Sequence, residues 1–205
     1  MTLPEFLAIV VPLWIIMDPI GNLPLFMMFT RDNTAREQRR MALQACGFAV
    51  VILLTFMWAG DQILGLFGIT MPAFQIAGGF IFGIYALQML ALIPTGLKHT
   101  SEEDRESQRR PNIALVPLAV PMLAGPGSIT AVLVQRQSLN TLPELGWLMV
   151  GVLVACAGVY AVLHFAAPLS RLLGVTGIRV ISRLMGLLLA VIAVQFMVNG
   201  VQAIM

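Results

Sequence analysis

Six stretches of this chain are apolar for long enough to cross a lipid bilayer as helices, and little is left over for anything else. About 20 apolar residues span a hydrocarbon core ~30 Å thick. Runs of that length lie near residues 5–30, 42–60, 70–94, 113–135, 145–168 and 178–203. Polar punctuation separates them at Arg31 to Arg40, Asp61 to Gly68, Thr95 to Asn112, Gln135 to Glu144 and Ser170 to Arg179. Only 11% of the 205 residues are charged, whereas a soluble domain carries about 25%. Mean hydropathy is +0.89. These features predict an all-α membrane protein with one transmembrane domain over residues 1–205. No basic n-region or small-residue cleavage site opens the chain, so the first apolar segment is expected to be retained.

The positions of the charges say more than their net value of +2, which leaves no nucleic-acid footprint. Arg31, Arg36, Arg39 and Arg40 mark the first loop, and Lys98, Arg105, Arg109 and Arg110 the third. Arg171, Arg179 and Arg183 mark the fifth, and only Arg136 falls on the opposite side. Lys and Arg collect on the cytoplasmic face. Loops one, three and five are therefore predicted cytoplasmic, with both termini outside. Cys46 and Cys156 sit in apolar runs and read as small buried thiols. His99 and His164 are too few and too far apart for a metal cluster, so neither a metal nor a cofactor is expected.

The chain also repeats itself. Val11-Pro12-Leu13 returns as Val116-Pro117-Leu118, and Leu66-Phe67-Gly68-Ile69-Thr70 as Leu172-Leu173-Gly174-Val175-Thr176. Gly79, Gly83, Ala86 and Gln88 match Gly186, Ala190, Ala193 and Gln195 at one common offset. The repeats cover about residues 1–97 and 113–205, with a charged linker at 98–112. Each holds three spans, an odd number, so the second must enter the membrane upside down. Such inverted repeats are characteristic of secondary transporters. The Gly79/Gly83 and Gly186/Ala190 spacings suit close helix packing, within one chain or between copies in a homo-oligomer.

Two spans carry helix breakers at corresponding places. In the first, Met17-Asp18-Pro19-Ile20-Gly21-Asn22-Leu23-Pro24 joins a proline that lacks an N–H to a permissive glycine. Asn22 is placed to cap a new helix. In the fourth, Ala124-Gly125-Pro126-Gly127-Ser128 has the same logic, with Ser128 as the expected cap. Unwound backbone at membrane depth must line a cavity or face protein. Each break would aim a helix N-terminus at the centre, where backbone N–H groups hold a carboxylate. The plain alternative is a pair of proline kinks.

Asp18 is the one acidic residue near mid-membrane, which makes it a candidate site by default. It can carry a proton through a transport cycle or meet a substrate ammonium. Its plain alternative is a cap on the break. Gln88 and Gln195, at matching positions in spans three and six, offer amide donors and acceptors to a polar substrate or to a neighbouring helix. His164, near a cytoplasmic helix end, suits a proton relay or interfacial packing. Trp14, Trp58 and Trp147 include candidate interface anchors.

The Asp18-Pro19-Ile20-Gly21-Asn22-Leu23-Pro24 and Gly125-Pro126-Gly127-Ser128-Ile129 stretches together resemble the MarC family of bacterial inner-membrane proteins. The likeness extends over the length, six spans, charged central loop and two repeats. It implies a SnatA-like transporter of small neutral amino acids such as glycine and alanine, driven by protons in symport. It points to Asp18, Gly21 and Asn22 in the first break and to Gly125, Gly127 and Ser128 in the second. The chain has no G-x-x-x-x-G-K-[ST] motif, so a gradient rather than ATP is expected to drive it. Export of a metabolite or toxic compound, and a purely structural or regulatory membrane role, are the competing readings. An enzyme is not expected: an aspartyl protease needs a second aspartate at depth, and Ser128 and His164 lie in unrelated contexts.

Overall fold

A computed structural model describes residues 2–30, 33–92, 123–139 and 141–205. The third loop, with Lys98, His99, Arg105, Arg109 and Arg110, lies outside them, as does the first half of the fourth span with Val116-Pro117-Leu118. So does Arg31.

The described residues form helices and turns, with no strand among them. The helices are α1 (Leu3–Met17), α2 (Leu23–Phe29), α3 (Ala35–Leu66), α4 (Met71–Met89), α5 (Pro126–Gln137), α6 (Leu142–His164) and α7 (Ala166–Gln202). Helices α3, α4, α6 and α7 are each long and apolar enough to cross a membrane. Helices α1 and α2 together make up the first apolar run, interrupted between Met17 and Leu23.

Local chemistry sets where these helices start. Prolines that need no N–H partner occupy the first or second position of α1, α2, α4, α5 and α6. Helix α3 opens with a capping box. The Thr34 N–H donates to the Glu37 carboxylate at 2.8 Å, and Thr34 Oγ1 accepts the Glu37 N–H at 3.4 Å. These bonds hold the exposed Glu37 carboxyl below the ordinary carboxylate range. Thr2 with Glu5, and Thr141 with Glu144, repeat the motif at α1 and α6.

Three expected loops turn out to be largely helix: residues 35–40 of the first and 61–66 of the second belong to α3, and the fifth lies in α7. Helix α3 has 32 residues, about 48 Å at 1.5 Å per residue. That length exceeds a hydrocarbon core of ~30 Å, and Arg36, Arg39 and Arg40 lie in its first turns rather than on a loop. Helices α6 and α7 are separated by Phe165 alone. The Ser170 to Arg179 segment is helical except at Gly174, whose φ of 61° and ψ of 178° bend α7. Single-residue breakers cannot stop a helix that continues to pack on either side.

Helices α4 and α7 make the most extensive contact in the bundle, and they run antiparallel. A methyl added at Gly79 would stand 2.7 Å from the Ala193 carbonyl oxygen. One at Gly186 would stand 3.3 Å from that of Ala86, and one at Gly200 3.0 Å from that of Pro72. The backbones thus touch every seventh residue along each helix. Gly83, by contrast, faces open space. On α4 the expected four-residue spacing is therefore not used, whereas Ala190 of α7 does pack against the cluster of Phe82, Ala86, Leu189 and Ala193; the closest approaches follow a seven-residue stripe. Helix α1 runs parallel to α6, with Ile9 against Gly151 and Trp14 against Gly158. Helix α4 runs antiparallel to α5, with Gly78 against Thr130 and Phe82 against Gly127.

The main core joins Leu13, Met17, Leu23 and Phe26 to Ala45, Ala49 and Leu53 of α3 and to Val152, Ala155 and Val159 of α6. Alanines there let the helices close up. Cys46 and Cys156 are free and buried in the same core. Trp14 is packed into the α1–α6 contact, whereas Trp58 and Trp147 are exposed.

Candidate functional site

The first break is a hydrogen-bonded turn. Helix α1 stops because Asp18 adopts left-handed angles, φ 38° and ψ 64°, ahead of Pro19. The Asp18 N–H still donates back to Trp14 and Ile15 at 3.1 and 3.2 Å. Its carboxylate Oδ1 accepts the Gly21 N–H at 3.0 Å, and its carbonyl accepts the Asn22 N–H at 3.1 Å. A methyl at Gly21 would overlap the Asp18 carboxylate, which would have to turn away from the Gly21 N–H. Asn22 occupies the cap position of α2 as expected, but its side chain does not cap. Its Nδ2 instead donates across the break to the Met17 carbonyl at 3.0 Å. The amide thereby supplies a partner for a carbonyl that the broken helix leaves open. Asp18, Gly21 and Asn22 are half-buried, between the buried Met17 and Leu23.

Helix α5 opens within the second motif, and its cap is not the expected one. Gly125 is the N-cap with extended backbone, Pro126 is the first helical residue, and Ser128 sits in the first turn, 2% exposed. Proline's fixed φ and missing N–H favour the first helical position, which sets the cap one residue earlier, at Gly125. Gly125 and Gly127 are buried. A methyl on Gly127 would strike the Phe82 ring, so the space beside that glycine is taken by an aromatic side chain.

The structure brings Asp18, Gly21 and Asn22 together in one turn, and Gly125, Gly127 and Ser128 in another. Helices α1 and α5 pack directly on one another. Gln135 of α5 approaches the Ala8 and Ile9 carbonyls of α1 at 3.4 and 3.5 Å. The glutamine pair divides: Gln88 is half-buried near the end of α4, while Gln195 is exposed on α7 and donates to Asn199 Oδ1 at 2.6 Å. His164 ends α6, with Nδ1 3.0 Å from the Tyr160 hydroxyl and its ring edge-on to Phe165.

The buried Thr30 and Thr130 escaped the sequence reading, and Gln75 has no role in it. Thr130 is 1% exposed; its hydroxyl donates to the Pro126 carbonyl at 2.7 Å, and it packs against Gly78. Gln75, on α4, is 9% exposed. It lies four and seven residues before the buried Gly79 and Phe82, and that spacing was the available signal for an inward-facing amide.

Comparison with known proteins gives a consistent result. The profile described as "MarC family integral membrane protein" matches residues 3–205. A UPF0056 membrane protein of Aquifex aeolicus is 39% identical over 187 residues, covering 91% of this chain and 87% of that protein. YhcE of Escherichia coli, also a UPF0056 membrane protein, is 32% identical over 201 residues, 98% of this chain and 94% of its own length. YvbG of Bacillus subtilis is 34% identical over 194 residues, covering 94% and 92%. No solved structure matches.

Proposed function

Because the chain belongs to the MarC family of integral membrane proteins, we propose that it is a secondary active transporter of a small zwitterionic solute. The solute in this reading is a small neutral amino acid of the glycine or alanine kind, moved with protons by alternating access. The observation that carries the proposal is the turn at Asp18–Asn22. It interrupts the first apolar run with a carboxylate, a non-helical hydrogen-bonded backbone and an amide, in surroundings of buried Leu and Met. Such irregular backbone is tolerated at membrane depth where it serves a cavity or faces protein, and intramembrane carboxylates mark ion and substrate paths.

The reading has two inverted three-helix repeats, with spans one and four broken near the midplane. Two observations support this. The α4–α7 contact is reciprocal, Gly79 to the Ala193 carbonyl and Gly186 to that of Ala86, at the offset that relates the sequence repeats. In addition, α1 and α2 pack on α7 as α5 packs on α4. The six-span scheme puts both termini on the periplasmic side of the inner membrane. Asp18 would exchange the proton and meet the ammonium with Asn22 or the glutamines, while the α2 and α5 N-termini with Gly125 and Ser128 hold the carboxylate. The amino acid and the proton come from the family resemblance.

Uptake into proteoliposomes tests the proposal, with radiolabelled glycine, alanine and serine and an imposed pH gradient. Gradient-dependent flux of at least one of these is expected. No such flux across the panel would sink the amino acid reading and favour export or a structural role.

A further inference from the structure

One aromatic ring lies directly against the opening of α5. Phe82 of α4 is 1% exposed, and its ring edge stands where a side chain on Gly127, the second residue of α5, would begin. The ring is held there from both neighbouring helices. One turn earlier on α4, Gly78 lies against Thr130 of α5 and Gly79 against Ala193 of α7. These contacts leave α4 no room to draw back. Behind the ring, Phe196 of α7 lies 5.3 Å away centre to centre, tilted by 54°, and Ala86, Leu189 and Ala193 complete the cluster.

The other side of the same opening is polar. Pro126 has no N–H, and the Ile129 N–H donates to the Gly125 carbonyl at 3.1 Å. The N–H groups of Gly127 and Ser128 precede that bond and stand outside the ladder of α5. Side chains of a helix lean toward its N-terminus, so Ser128, 2% exposed in the first turn, leans its hydroxyl the same way. A solute seated here meets donors on one side and a hydrocarbon ring on the other. The ring offers no hydrogen bond, so it discriminates by volume alone.

We propose that Phe82 sets the upper size of the solute. This rests on the transport reading, in which the α5 N-terminus holds the solute carboxylate. The α-carbon is one bond from that carboxylate, and its substituent then comes against the ring edge. A hydrogen or methyl leaves the ring in place. A branched substituent needs volume that Phe82 fills, and Phe196 stands where the ring would retreat. Close-packed interiors do not yield such volume cheaply.

The test uses the full chain in proteoliposomes under an imposed pH gradient, with radiolabelled glycine, alanine, serine and leucine. One methylene in an apolar pocket changes selectivity by about 10–200-fold. Wild type should therefore carry leucine about tenfold or more less well than the best-carried smaller solute. Phe82→Leu and Phe82→Ala should each raise that ratio by about tenfold or more, through a lower KM for leucine. Phe80→Leu, at a position 63% exposed on the same helix, should leave it unchanged. A measurement on wild type alone supports these: unlabelled alanine should inhibit glycine uptake, and unlabelled leucine should not. An unchanged ratio in folded Phe82→Leu protein, or leucine carried and competing as well as alanine in wild type, would overturn the proposal and leave transport standing. No flux of any of the four solutes would overturn the transport reading, and this inference with it.

Discussion

Gly68 and Gly174 share one left-handed φ, 64° and 61°, and nothing lies within 4 Å of where a side chain would begin on either. The five-residue sequence repeat around them thus returns as a repeated backbone event, although Gly68 ends a helix and Gly174 only bends one. With no steric neighbour, an alanine at either position meets only backbone strain. Gly68→Ala and Gly174→Ala should each cost about 1–3 kcal/mol, read as a lowered unfolding temperature in detergent. Unchanged melting of both would show that the turns relax freely.

Crowding, not strain, governs the α4–α7 seam. Gly79→Ala places a methyl 2.7 Å from the Ala193 carbonyl oxygen and 2.8 Å from Met197 Cγ, and overpacking of this kind costs about 1–3 kcal/mol. Gly83→Ala fills open space on the same helix. It should be neutral or stabilising by up to about 1 kcal/mol, since alanine is the better helix former. Thermal unfolding of the two variants side by side checks the contrast, and equal melting would remove the close approach.

Asp18→Asn keeps the shape of the turn and removes its charge. Gradient-driven uptake should fall at least tenfold and lose its pH dependence, while the protein elutes and melts normally. Gly21→Ala should fail differently, by loss of stability, because its methyl overlaps the Asp18 side chain. Wild-type uptake with wild-type pH dependence in Asp18→Asn would leave the carboxylate as a cap only.

Asn22→Ala removes the donor to the Met17 carbonyl. A buried acceptor left without a partner costs about 1–3 kcal/mol, so this variant should melt lower. Asn22→Asp, which lacks the amide donor, should not rescue it. Rescue by aspartate would mean that the α2 N-terminus, and not the bridge to Met17, is what residue 22 serves.

Glu37 offers a pH prediction outside the membrane. Its carboxyl is held low by the Thr34 bonds, so its contribution is present above the unfolded carboxylate value of about 4.3. That contribution is lost as pH falls through the folded value. A carbon-detected titration of Glu37 should show the depressed midpoint, and Thr34→Ala should move it up toward the ordinary one. An identical midpoint in the variant would remove the capping box as its cause.

Much of this was readable from the residues, and the failures have physical causes. The stop at Asp18 and the restart at Leu23 follow from Pro19, Gly21 and Asn22, because those residues forbid or permit backbone angles outright. Capping was less legible. Proline claimed the first position of α5 and moved the cap from Ser128 to Gly125, while Asn22 found a better acceptor in Met17. Charges on Arg36, Arg39 and Arg40 read as loop because polarity marks water, and helices extend into water without changing their backbone. The packing stripe was misread at Gly83, since which side of α4 meets α7 depends on how the two helices cross. Gln135 gave no signal at all: its amide meets the Ala8 and Ile9 carbonyls of another helix, a contact set by how α1 and α5 cross.

The seven-residue stripe between α4 and α7 has a mechanical consequence. Backbone meets backbone at Pro72 with Gly200, Gly79 with Ala193 and Ala86 with Gly186, and Phe82, Leu189 and Phe196 fill the space between those contacts. Sliding one along the other would have to travel seven residues, ~10 Å, before small residues faced carbonyls again. The pair is therefore expected to move as a single stiff lever, with any rocking of the bundle taken up at the side-chain-filled contacts of α1, α3, α5 and α6.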